Sequence, residues 1–85
     1  MSDLSEIQFT LNSVESDNPA VNGEIDAIHQ YTELAKAGKI TIQEFKDLLL
    51  DIQHTLNINS QAVEQQQLQM INTCINGLIS ISGAL

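Results

Sequence analysis

Few side chains in this sequence could do chemistry, and their spacing limits each of them. His29 and His54 are the only histidines and Cys74 is the only cysteine. Asp26 and Glu33 flank His29 at helical spacing, and Asp51 precedes His54 by one turn. A zinc site needs three or four converging ligands. Two histidines 25 residues apart on different helices could meet across a hairpin, but both are expected as polar residues near a helix surface. Cys74 sits among apolar residues, where a thiol acts as a small hydrophobe. No basic residue follows Lys46 to lower its pKa. Serine and threonine are plentiful but lack a nucleophile-elbow context, and no glycine-rich phosphate loop is present. No catalytic residue, metal or cofactor is therefore expected, and the chain is read as a non-enzyme.

The segment from Glu33 to Glu44 resembles the second half of an EF-hand. Gly38 falls at loop position 6, Ile40 at 8 and Glu44 at 12, followed by Phe45. Calcium also requires oxygen ligands at positions 1, 3 and 5. Those are Glu33, Ala35 and Ala37, and alanine cannot coordinate a hard cation. A glycine helix cap followed by a capping box spells the same letters. The stretch Gly38–Phe45 is also similar to short helical-hairpin oligomerisation modules, which implies a helical hairpin and no more.

Charge narrows the partners. Eleven acids face three lysines and no arginine, for a net charge of −8. All seven acids of residues 1–33 (Asp3, Glu6, Glu15, Asp17, Glu24, Asp26 and Glu33) lie in a stretch without a base. Nucleic-acid affinity rests on neutralised phosphates, and three lysines set beside acids cannot supply that, so direct nucleic-acid binding is not expected. Docking on an anionic membrane surface fails for the same reason. A single cysteine excludes an intramolecular disulfide. With no signal-peptide pattern, it suggests a reducing, cytoplasmic setting.

Eighty-five residues make one domain. A chain this short buries only about 60–65% of its unfolded surface, so metal binding or self-association would add stability. The pattern of apolar residues then assigns an all-α fold. Residues 1–18 are expected to form a flexible or extended acidic arm, because Ile7, Phe9 and Leu11 alternate with polar residues at the period of a strand. In that register the three side chains would contact the body or a neighbouring subunit. Residues 19–85 form the helical domain, with helices over about 19–37, 42–57 and 60–82.

Asn18-Pro19 reads as a helix start, with Asn22 as the alternative cap because Gly23 weakens the first turn. Val21, Ile25, Ile28, Thr32 and Ala35 then share one stripe, and Gly38 closes the helix. Thr41 and Glu44 spell a capping box, with Ile40 and Phe45 placed as a hydrophobic staple. Phe45, Leu48, Leu49, Ile52, Leu56 and Val63 continue the next stripe. Asn57–Ser60 is ambiguous. If the helix breaks there, the chain is a three-helix bundle. If it continues, the αα-hairpin has a long second helix, a rod of roughly 60 Å, and this is the favoured form.

From Gln65 to Leu85 there is no charge. Leu68, Ile71, Ile75, Leu78 and Ile79 cluster on one side of a helix, and Met70, Cys74, Ile81 and Leu85 widen that surface to about half the circumference. Glutamines and asparagines interrupt the run and no basic residue flanks it, so no membrane span is expected. A helix apolar over such an arc needs neighbours on two sides. The expectation is a non-enzymatic, self-associating assembly protein, a homo-oligomer or a binder of another protein. Its interface would lie on Leu56, Val63, Leu68, Ile71, Ile75, Leu78 and Ile79. The alternative is a monomeric acidic adaptor or inhibitor that docks on a basic partner surface, as a small viral accessory or virion protein would.

Overall fold

The side chain of Asp3 opens the first helix: its Oδ1 accepts the backbone N–H of Glu6 at 2.9 Å. Its carbonyl takes the N–H of Ile7 at 3.1 Å. An N-cap that satisfies otherwise orphaned donors stabilises a helix start by ~1 kcal/mol. The helix that follows, α1, spans Leu4–Val14 in the computed structural model, which describes residues 3–14, 18–59, 61 and 63–85. The expected extended arm is therefore corrected: this segment is helical. Ile7, Leu11 and Val14 are buried, at the spacing of four and three that one helix face requires. Phe9 decides between the two periods. A strand would put it beside Ile7 and Leu11. A helix turns it about 200° away from Ile7, and it is 76% exposed.

Helix α2 spans Pro19–Lys36, with Asn18 as N-cap accepting the N–H of Ala20 at 3.1 Å. Gly23 lies inside it without breaking it. The buried face is Val21, Ile25, Ile28, Thr32 and Ala35. Thr32 is tolerated there because its Oγ1 donates to the carbonyl of Ile28 at 2.8 Å. The helix closes in a Schellman motif, in which Gly38 N–H donates to Ala35 O at 3.1 Å and Lys39 N–H to Leu34 O at 2.9 Å. Gly38 holds the left-handed conformation, φ +73°, that this closure demands.

Thr41 then starts α3, Ile42–Ile58, with the complete capping box. Glu44 N–H donates to Thr41 Oγ1 and Thr41 N–H donates to Glu44 Oε1, both at 3.0 Å. Phe45, Leu49, Ile52 and Leu56 are its buried face. The helix stops at Ile58 and α4 begins at Gln65, running to Ile81 before a 3-10 turn over Ser82–Ala84. The continuous rod is thus corrected to a break, and the last helix begins five residues later than its expected start at 60. A cap at Ser60 lies outside the described residues. The longest dimension of the molecule is 34 Å, far short of the rod.

The four helices form a bundle. Helix α4 packs on α1 along one side and on α3 along the other, and α2 packs mainly on α3. One core runs through all of them, centred on Leu11, Ile25, Ile28, Phe45, Leu49, Ile71, Ile75 and Leu78. Gly38→Ala should lower stability by about 1 kcal/mol, since a Cβ in the left-handed region costs that much. Urea denaturation checks this, and an unchanged midpoint would contradict the role given to the glycine cap.

Candidate functional site

The surface first expected to bind a second copy lies inside the molecule. Ile71, Ile75 and Leu78 are fully buried, and Leu56, Val63 and Leu68 nearly so. Ile79 alone of the seven is partly exposed. The wide apolar arc of α4 has its two neighbours within one chain. Toward α1 lies the stripe Gln67, Met70, Cys74, Gly77 and Ile81. Its register is fixed by Gln67 Nε2 donating to Val14 O at 3.4 Å and by Cys74 Sγ 4.0 Å from Ile7 O. Gly77 permits this close approach, since a Cβ there would meet Ile7 Cδ1 at 3.0 Å. Toward α3, Gln53 Nε2 reaches Asn76 Oδ1 at 3.5 Å. Six of the seven side chains assigned to an interface, all but Ile79, thus lie in the core of the single chain, and Ile79 is partly buried against it. Of the expected arm contacts, Ile7 and Leu11 reach that core and Phe9 does not.

The groups with chemical potential stay apart. His29 Nε2 lies 3.1 Å from Asn12 Oδ1, bridging α2 to α1. His54 is exposed on α3. Among the described residues, no three His, Cys, Asp or Glu side chains converge as metal ligands. Within the EF-hand-like segment, Ala35 is buried in α2 and the Glu44 carboxylate caps α3. Cys74 is buried under α1, and desolvation pushes its thiol pKa up, away from the nucleophilic thiolate. A cleft of about 420 Å³ opens at one end of the bundle, lined by Asp3, Leu4, Lys36, Ile81, Ala84 and Leu85. It can receive an apolar group, but the Asp3 carboxylate already serves as a helix cap. Among the described residues, no helix is long and apolar enough to cross a membrane.

The exterior carries an excess of negative charge beside three exposed large apolar side chains among the described residues, Phe9, Leu50 and Ile58. The one ion pair among the described residues joins Lys36 to Glu33 at 3.6 Å, both largely exposed. Across the α2–α3 hairpin, Glu24 is partly buried and faces Asp51. Burial first, and the Asp51 charge second, raise its pKa above the ordinary carboxylate value. Asp47, one turn before Asp51 on α3, accepts a hydrogen bond from Gln43 at 3.0 Å. This hairpin therefore carries two like charges on facing helices.

No family model, no curated protein and no solved structure matches this chain. Its function has to be read from the surface itself. Sequence reasoning had placed the acids along the chain but not this juxtaposition. Glu24 and Asp51 are far apart in sequence, and only the tight turn at Gly38 brings their helices together.

Two predictions follow from this geometry. Ile75→Asp should abolish the cooperative helical fold, because it places a charge at a fully buried site. Circular dichroism that retained full helicity would show that Ile75 is not core. For Glu24 the sign is set by its raised pKa: the folded chain holds the proton more tightly than the unfolded one. Stability should therefore rise as pH falls through the raised pKa toward the ordinary value, and decline over the same window as pH rises. Glu24→Gln should flatten this dependence and be the more stable protein at neutral pH, as read by urea midpoints across that range.

Proposed function

We propose that this chain is a non-enzymatic, protein-binding adaptor or accessory protein whose acidic α2–α3 surface docks on a basic surface of a partner protein. The observation that carries the reading is the excess of acid, a net charge of −8 with no base among residues 1–33, together with Glu24 and Asp51 on the facing helices of the hairpin. A cation from the partner placed near Glu24 and Asp51 would offset the unfavourable charge that Asp51 adds to Glu24. Such a contact gives specificity and fast association more than raw affinity. The partner's contribution is lysine or arginine side chains on a folded surface, and neither a cofactor nor a nucleic acid enters. Enclosure of the C-terminal apolar arc within one chain supports a monomer over the self-associating form.

Deca-lysine serves as a probe of the surface before a partner is identified. Titration into the labelled protein, followed by NMR, should shift Glu24, Asp47 and Asp51 first. The shifts should weaken steeply as salt is raised, since exposed charges are screened over about 8–10 Å at physiological strength. Asp51→Asn should weaken the response, and Asp3→Asn, at the cap of α1, should not. Shifts spread evenly over all acids would remove the support for this face. A solution mass above the monomer that persists in high salt would instead return the reading to self-association.

A further inference from the structure

Helix α3 has a second face. Phe45, Leu49, Ile52 and Leu56 turn inward, yet Leu50 is 50% exposed and Ile58 67%. At about 100° per residue, Leu50, His54, Asp47, Ile58 and Asp51 fall in that order within about 100° of arc, opposite the buried side. His54, Asp47 and Asp51 are exposed as well. Leu50 and Ile58 stand about 12 Å apart along the axis, with His54 one turn from each. Single exposed apolar residues are ordinary on a protein surface. Here two of the three large ones among the described residues share one helix face with two carboxylates. Asp51, at the edge of the arc, is also the residue whose charge reaches Glu24 on α2.

We infer that this face of α3 receives a basic amphipathic helix of a partner protein, with an apolar side chain seated between Leu50 and Ile58 and lysine or arginine beside Asp47 and Asp51. The inference rests on the acidic-surface reading and narrows it, from any basic surface to a helix with an apolar stripe. Charge chooses the occupant. A second copy would bring a net charge of −8 against the same carboxylates. The two exposed apolar side chains also fall far short of the ~800 Å² per partner that a stable pair buries, and suit a short, salt-sensitive contact. An anionic lipid surface is repelled in the same way. A helix with lysines flanking a leucine or isoleucine offers both complements, the apolar one to Leu50 and Ile58 and the cationic one to the acids. Helix pairs interdigitate along rows of side chains four residues apart, and Leu50, His54 and Ile58 make such a row on α3.

Two peptides of about 18 residues serve as probes: a lysine–alanine helix with a leucine stripe on one face, and the same helix with alanine for each leucine. Each is titrated into the labelled full chain and followed by NMR. The leucine form should bind about tenfold more tightly than the alanine form, shifting Leu50, His54 and Ile58 together with Asp47 and Asp51. Combining Leu50→Ser with Ile58→Ser should bring the two peptides to equal affinity and leave the deca-lysine response unchanged. Phe9→Ser, at the exposed apolar site on α1, should keep the tenfold ratio. Should the double variant lose helicity by circular dichroism, Leu50→Gln alone makes the same comparison. Equal affinity of the two peptides for the unaltered chain, with the deca-lysine response intact, would overturn the apolar stripe and leave the acidic surface standing. Absence of the deca-lysine response at Glu24, Asp47 and Asp51 would remove both. Tighter binding of the leucine form that shifts residues outside α3, or a solution mass above the monomer that only the double variant lowers, would give the face to another occupant and overturn the inference.

Discussion

The rest of this structure depends on covering the apolar arc of α4. A helix that is apolar over about half its circumference cannot be satisfied by one neighbour. Here α1 takes one flank and α3 the other, and Ile71, Ile75 and Leu78 between them are sealed completely. The first helix of the chain must therefore return to the last. This long-range closure makes four short helices share one core. It also makes the C-terminal segment, the most apolar part of the chain, an interior element.

The hairpin of α2 and α3 solves a different problem. Its turn is set locally, by Gly38 and by the Thr41–Glu44 box, while its buried face belongs to the core that all the helices share. The turn brings the helices of Glu24 and Asp51 side by side, so that the Asp51 charge adds to burial in raising the Glu24 pKa. The α1–α4 pair buries apolar surface, while the α2–α3 hairpin carries Glu24 and Asp51.

Much of the helical part was legible in the residues. Val21, Ile25, Ile28, Thr32 and Ala35 form one stripe in the sequence and are the buried face of α2. The capping box and the glycine cap are short-range chemistry, and short-range chemistry is readable. Residues 4–14 were harder, because Ile7 and Leu11 fit a period of two as well as a period of 3.6. The signal that would have separated them was Asp3-x-x-Glu6, an N-cap spelling, together with Val14 at the next helical position. Missing that helix removed one of the two covers of α4, and the apolar arc then pointed to a second copy of the chain.

By itself, then, the sequence determined the all-helical character, the hairpin with its caps and the excess of acid without arginine, since these follow from local spacing and composition. Tertiary structure alone decided that α1 is a helix that closes on α4, that the chain breaks between Ile58 and Gln65, and that Glu24 stands beside Asp51. The physical reason is common to all three. Each depends on contacts between residues far apart in the chain, and local propensity at those places is too weakly biased to choose without them.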